Sequence, residues 1–314
     1  MFGFLNMKFS LRQLEVFAAV ARVGSVSAAA DAIALSQSAT STALSEFERQ
    51  FDCRLFERVG KTLRINPLGE QLLPKAVELL DRAAEVEALL EGRTGLGALH
   101  IGATLTIGNY LATLIVADFL QQHPEAKVQL TVHNTATIVE QVAQYDLDLG
   151  LIEGGCKHPD VITESWVADE LVVFAKPDHP LTRQRRVPVA ALMKESWILR
   201  EPGSGTRAIF EQALQHHQLE PRVRLELEHT EAIKRAVESG LGISCISRLA
   251  LKEAFRRGSL APIHTPDLDL RRRFQFLWHK DKYQTAALCA FLAACRAMTA
   301  GAARSDLIEL PYIA

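Results

Sequence analysis

Several large classes of protein leave marks that this sequence lacks. Its apolar runs, such as Leu111–Ala117, stop well short of the ~18 residues a membrane span needs, so no transmembrane helix is expected. Cysteine is sparse. Cys53, Cys156, Cys245, Cys289 and Cys295 are odd in number, scattered and without a C-x-x-C pair, which argues against a disulfide framework or a zinc site and for a reduced, cytoplasmic setting. No basic segment precedes the apolar stretch Met1–Asn6 and no small-residue cleavage site follows it, so no secretory signal is expected; the patterned sequence begins after Met7, an alternative start. Charge of neither sign dominates: the net charge of -2 excludes bulk basicity as a route to nucleic acid and leaves only a local basic surface. H-E-x-x-H, G-x-S-x-G and the P-loop are absent, and no nucleophile–base–orienter set can be read, so an enzyme is not expected. What remains is 314 residues, 48% apolar and 23% charged, which is material for two or three globular domains with a core in each.

The first sixty-five residues carry the most local pattern. Leu11, Leu14, Val16, Phe17, Val20 and Val23 give one face of a helix that Gly24 ends. Ser25 and Ser27 are N-cap candidates for a short alanine-rich helix, Ala28–Ala34, which can pack closely on a neighbour. After Leu35-Ser36-Gln37-Ser38 a third helix follows, with Ala39, Ala43, Leu44, Phe47 and Phe51 expected to face inward. Two helices, a tight turn and a third helix outline a helix-turn-helix. Ser38, Thr40, Ser41 and Thr42 open the third helix, and small hydroxyl side chains there can cap the helix or reach base edges and phosphates. Leu55–Arg58 and Gly60–Ile65 then form a hairpin with Arg58, Lys61 and Arg64 near its tip, a basic wing. Residues 1–65 hold eight basic and six acidic side chains, so placement and not total charge makes the case for DNA.

The segments "LRQLEVFAAVARVGSVSAAADAIALSQSATSTALSEFERQFDCRLFER" and "INPLGE", within Leu11–Glu70, resemble the winged helix-turn-helix of LysR-type transcriptional regulators. The resemblance implies an α/β protein with this DNA-binding domain over 7–66, a linker and dimerisation helix over 67–91, a hinge over 92–97, and a two-subdomain, periplasmic-binding-protein-like effector domain. It also implies that Ser36, Gln37, Ser38, Ser41, Thr42 and Ser45, with Arg58, Lys61 and Arg64, meet double-stranded promoter DNA. One departure stands out. The family usually carries Pro after the Gln and Arg after the second Ser of the recognition helix, where this chain has Ser38 and Thr42. Loss of that Arg removes a strong guanine or phosphate contact, so base preference should differ from that of Arg-bearing relatives.

Pro67 suits a helix N1 position, and Leu68, Leu72, Leu73, Val77, Leu80, Ala84, Val86, Leu89 and Leu90 follow with helical spacing; Pro74 inside the pattern suggests a kink. A stripe on a helix outside a compact domain needs a partner, which the resemblance identifies as the same helix of a second subunit, in a dimer of dimers. RNA polymerase is a further implied partner, and no membrane is.

From Leu99 onward apolar strands alternate with helices, the order of parallel sheets with right-handed crossovers. Strands are expected at Leu99–Ala103, Val128–Val132, Leu147–Ile152, Leu171–Ala175, Trp197–Leu199, Arg222–Glu228, Gly242–Ile246, Ala261–Ile263 and Phe274–Trp278. The expected subdomains are 98–170 with 271–301, and 171–270. Ligands in such folds sit at strand ends facing helix N-termini. Those ends supply Thr104 and Thr106, Asn134 and Thr135, Glu153, the run Arg200-Glu201-Pro202-Gly203-Ser204-Gly205-Thr206-Arg207, and His229 with Thr230. In that run Gly203 and Gly205 let backbone N–H groups turn inward as an anion nest, Ser204 and Thr206 add hydroxyls, and Arg200 and Arg207 add positive charge. "REPGSGTR", "TLTIGNY" and "LGISCIS" are similar to segments of family members that govern sulfur assimilation, sulfite response or carbon dioxide fixation. That similarity implies a small anionic effector and no other cofactor, with sulfite or a related sulfur oxyanion first and a compact carboxylate next.

Glu153 would repel an anion unless it is paired, and it can accept from an amine, so an organic or amino-acid-like effector stays open. Cys156, followed by Lys157 and His158, leaves a thiol-based redox signal open as well. His216 and His217 point about 100° apart on a helix and do not make a metal pair. An enzyme would leave the first domain unexplained. A transport-type binding protein would need export and would also leave that domain without a role.

Overall fold

The computed structural model describes residues 7–60, 62–91 and 96–309. Helices α1 (Leu11–Val23), α2 (Val26–Ala32) and α3 (Gln37–Gln50) form a tri-helical head closed by the hairpin of β1 (Phe56–Val59) and β2 (Thr62–Ile65). Local chemistry sets the boundaries. Ser10 and Gln13 form a reciprocal capping box, Gly24 closes α1 in the left-handed region, Ser25 caps α2, and Ser36 caps α3 by accepting from the Ala39 amide. The second helix therefore starts at Val26, two residues earlier than its alanine run suggested. Phe17, Val20, Leu44, Phe47 and Phe56 fill the core. Thr40 and Glu48 are buried, whereas Ala39 and Phe51, expected inside, are exposed. Glu48 is held because its carboxylate accepts from the Leu55 amide at 2.8 Å and from Arg54 at 3.0 Å, which anchors the start of the wing.

Helix α4 (Pro67–Leu90) starts at an Asn66 cap and continues through Pro74. Its first half belongs to the head: Ala76 lies in that core, and a side chain at Gly69 would meet the Leu55 carbonyl at 2.5 Å. Packing on the head supplies what the missing Pro74 hydrogen bond removes. Further along, Leu79, Val86, Leu89 and Leu90 are exposed, Leu90 by 82%.

The expected hinge falls largely on residues 92–95, which lie outside the described ones; after them the chain builds β3 (Ala98–Thr104), α5 (Leu105–Ile107), α6 (Thr113–Gln122), β4 (Lys127–His133), α7 (Thr135–Ala143), β5 (Leu149–Glu153) and β6 (Val161–Ala175). A π-turn at Gly108–Ala112 joins α5 to α6. There follow α8 (Val189–Leu192), β7 (Ser196–Leu199), α9 (Gly205–Gln215), β8 (Arg222–Glu226), α10 (Thr230–Glu238), β9 (Ile243–Ser247), α11 (Arg248–Arg257), β10 (Ala261–Pro262), β11 (Arg271–His279) and α12 (Ala286–Met298). The strand order is β4-β3-β5-β11-β6-β9-β7-β8, with β10 beside β6. Strands β3, β4 and β5 pair in parallel, as do β7, β8 and β9; β11 runs antiparallel to β5 and β6. The long β6 pairs with β11 through Glu170 and with β9 from Leu171, so one strand serves both halves. Only its apolar end, Leu171–Ala175, was visible as a strand in the sequence, because Thr163-Glu164-Ser165 and Asp169-Glu170 read as polar. Separate cores around Phe119, Phe276 and Phe291, and around Trp197 and Phe210, support the two halves.

Candidate functional site

Two surfaces hold groups able to bind a partner: the face of α3 with the wing, and the cleft between the effector halves. On α3, Ser36, Gln37, Ser38, Ser41, Thr42 and Ser45 present their side chains outward while Thr40, Leu44 and Phe47 hold the opposite face in the core. Arg58 and Arg64 of the wing are also exposed; Lys61 lies outside the described residues. Ser36 Oγ lies 3.1 Å from Ser38 Oγ and accepts from the Ala39 amide, so Ser36 and Ser38 serve the helix start as well as the surface.

The cleft is shut. Ala136 N donates to Gly203 O at 3.2 Å and Gly205 N donates to Thr135 Oγ1 at 3.1 Å, so the lips of the two halves are hydrogen-bonded together. A side chain at Gly205 would meet the Glu153 carbonyl at 2.3 Å, which is why only glycine fits there. Behind the lips lies a buried ionic cluster. Glu153, 1% exposed, ends β5; its Oε1 accepts from the Thr106 amide at 3.0 Å and its Oε2 from Thr206 Oγ1 at 3.1 Å. Arg272 of β11 has a fully buried side chain, with Nη1 3.3 Å from Glu153 Oε2 and 3.0 Å from Thr206 Oγ1, and Nε 2.6 Å from Asp169 Oδ2. Asp169 also accepts from Ser247 at 2.7 Å and Ser305 at 2.5 Å. Burial alone would push the Glu153 carboxyl up, but Arg272, the Thr106 amide, Arg200 and Thr206 hold it below the usual carboxylate range. Arg272 Nη2 and Ser204 Oγ are buried without a hydrogen-bond partner. Unpaired buried donors are costly, and these two retain the capacity to donate.

The sequence-derived candidates divide accordingly. Thr104, Thr106, Glu153, Ser204, Thr206 and Arg200 are buried. Thr104 Oγ1 lies 3.4 Å from Leu151 O, and Arg200 is held bidentately by neighbouring Glu201 at 2.8 Å. Asn134 caps α7, and Thr135, Gly203 and Gly205 form the lips. One expectation needs correction, and two further candidates are placed by the fold. Arg207 does not offer a free guanidinium: it binds Glu211, Glu226 and the Arg200 carbonyl. His229 is exposed and makes no side-chain cap, and Thr230 is buried at the start of α10. Cys156 borders the lips, but burial pushes its thiol pKa up, which disfavours the reactive thiolate. Glu153 is paired, so its repulsion of an anion is already compensated. Sequence reasoning missed Arg272. The signal was present: in Arg271-Arg272-Arg273-Phe274-Gln275-Phe276 the middle arginine shares the strand face of two phenylalanines.

Residues 11–70 match the bacterial regulatory helix-turn-helix family of LysR, and residues 93–300 match the LysR substrate binding domain. The chain is a LysR-type transcriptional regulator. This LysR-type regulator is 42% identical over 289 residues to the uncharacterized HTH-type transcriptional regulator YeiE of Escherichia coli K12, covering 92% of this chain and 98% of that one. The CcmR regulatory domain of Synechocystis PCC6803, solved in complex with 2-PG, is 30% identical with a TM-score of 0.62, covering 65% of this chain and 98% of that one. A full-length OxyR variant of Pseudomonas aeruginosa, 22% identical, shares the fold with a TM-score of 0.70 over 92% of this chain and 95% of that one. The helix-turn-helix makes the regulator a DNA-binding protein and the second domain a binder of small-molecule effectors. Among the described residues no helix is long and apolar enough to cross a membrane.

Proposed function

We propose that this regulator senses a small oxyanion, sulfite or a related sulfur oxyanion first and a compact carboxylate next, in the cleft between its effector halves. The observation that carries the reading is a pair of buried donors without partners: Ser204 Oγ, at the start of the helix that holds Thr206, and Nη2 of the Arg272 guanidinium, whose Nη1 lies 3.0 Å from Thr206 Oγ1. The Thr106 amide, the Thr206 hydroxyl and Arg272 Nη1 now serve the Glu153 carboxylate. An incoming oxyanion replaces that internal carboxylate, because Arg272 between Glu153 and Asp169 leaves no positive charge to spare for both. Binding is therefore an exchange of anions, and it favours one arrangement of the halves over another. Dimerisation through the exposed Leu79, Val86, Leu89 and Leu90 row places two recognition helices on two half-sites of promoter DNA. A dimer of dimers then bends the promoter, and the effector-dependent bend governs recruitment of RNA polymerase.

The test is calorimetric titration of the full chain with sulfite, sulfate, thiosulfate, phosphate and small carboxylates, with Ser204→Ala as control. Saturable binding of one anion is expected, weakened about 10- to 100-fold in the variant, the range for a lost hydrogen bond to a charged group. Equal affinity in Ser204→Ala, or no binding by any anion, overturns the reading.

A further inference from the structure

The two strands that carry the buried ion pair run back to the linker helix. Strands β5 and β11 are antiparallel neighbours, in register from Phe274 opposite Glu153 to Leu277 opposite Gly150. At one end they hold Glu153 and Arg272 in the cleft. About 17 Å away, five residues of extended chain, the other end holds Asp148 just before β5 and Lys282 just after β11. Lys282 Nζ lies 2.7 Å from Asp148 Oδ1 and 2.6 Å from Asp81 Oδ2 of α4, and its side chain is only 4% exposed. Asp148 is itself fixed, accepting from the His100 amide at 2.7 Å.

Neighbouring contacts tie the same stretch of α4 to the effector domain. Glu85 Oε1 accepts from the Ala286 amide at 2.9 Å, at the first turn of α12, and Arg82 lies 4.3 Å from the Tyr283 ring centroid. The head joins separately, where Arg22 at the end of α1 lies 3.0 Å from Asp146 and donates to the Tyr145 carbonyl at 2.9 Å.

We propose that Lys282, bridging Asp81 of the linker helix to Asp148 of the effector domain, is the joint through which the state of the cleft reaches the DNA-binding half. The β5–β11 pair acts as the strut: a change at Glu153 and Arg272 shifts the strands, and the shift arrives at a buried charge triad with one member on α4. The joint rests on the cleft being the sensing site, but its mechanical part does not depend on which ligand binds there.

The experiment is a double-mutant cycle read by amide hydrogen exchange of the full chain, following α4 residues 79–90. The proteins are the parent, Glu153→Gln, Asp81→Asn and the double variant. Asp81→Asn leaves the Lys282–Asp148 pair inside the effector domain intact, so the variant keeps its fold. Glu153→Gln is expected to change exchange in this segment by about threefold or more, and Asp81→Asn to abolish that change. Additive effects in the double variant, or no change along α4 in Glu153→Gln, overturn the joint. The same proteins are then compared with and without sulfite, with binding followed by calorimetry. If sulfite binds, a response along α4 in the parent that is missing in Asp81→Asn supports the joint, and an equal response in both overturns it. If no anion binds, the effector reading falls, and the Glu153→Gln cycle still decides the joint.

Discussion

Removing the positive charge from the closed cleft gives the sharpest test of how the two halves are held. In Arg272→Met the apolar part of the side chain remains, while Glu153 and Asp169 lose the cation that lies 3.3 and 2.6 Å from them. Breaking a buried pair from one side costs about 3–5 kcal/mol, because a buried charge is left uncompensated. For an effector domain of this size each kcal/mol moves the midpoint by roughly 2–4 °C, so the fall should be on the order of 10 °C near neutral pH. The pH dependence should reverse as well. In the parent, the Glu153 pKa lies below its unfolded value, so its contribution is present above that unfolded value and is lost as pH falls through the folded one. Without Arg272, burial dominates and the folded pKa rises above the unfolded value. The variant is then penalised for deprotonating Glu153, and its stability declines as pH rises from the ordinary carboxylate range toward neutrality. Adding Glu153→Gln to Arg272→Met should recover part of the loss and flatten the profile. Thermal and urea unfolding between pH 4.5 and 8 measure all three proteins. A single variant as stable as the parent at pH 8, or one with the parent's pH profile, would refute the account of Arg272 as the charge that makes the cleft tolerable.

Three further outcomes follow from the geometry. Arg58→Ala on the exposed wing should weaken binding to every DNA sequence and lower the salt slope by about 1, measured by anisotropy over a salt series; a loss confined to one base position contradicts a phosphate contact. Gly205→Ala places a methyl group 2.3 Å from the Glu153 carbonyl, so the lips must part, and exchange at the Gly205 and Ala136 amides should rise at least tenfold. Unchanged protection there would mean that the lips are not what closes the cleft. If α4 carries the proposed dimer contact, Leu79→Asp with Val86→Asp should lower the oligomeric state in analytical ultracentrifugation, with operator affinity falling in parallel; an unchanged oligomeric state would assign that face to something else.

The head was legible because its information is local. The cap at Ser25, the stop at Gly24 and the spacing of Phe17, Val20, Leu44 and Phe47 each act within a few residues. The short buried strands read for the same reason: Trp197–Leu199 and Gly242–Ile246 are mostly apolar segments between turn signals. What escaped was long-range. The polar half of β6 is a strand only because β11 pairs with it, and no window of its own sequence says so. Arg207 looked like the anion clamp because it follows the glycines, yet Glu226, nineteen residues later, claims it. The alternation of Arg272 with Phe274 and Phe276 marked it as inward-facing, but its partner Glu153, 119 positions away, is set only by the fold. Candidate residues at strand ends were found by topology, but how their charges cancel is a property of the folded pairings alone.

The crossing between the effector halves has a mechanical consequence. Arg271, Arg272 and Arg273 are laddered to Glu170, Asp169 and Ala168, so the two connecting segments form a paired ribbon there and not two loose threads. A ribbon resists shear and lateral play but yields to twist. Opening of this cleft should therefore be a twisting motion of limited amplitude with an elastic return, closer to a torsion spring than to a jaw on a pin. A sensor built that way resets itself when the signal is gone, with no further input needed to restore the closed shape.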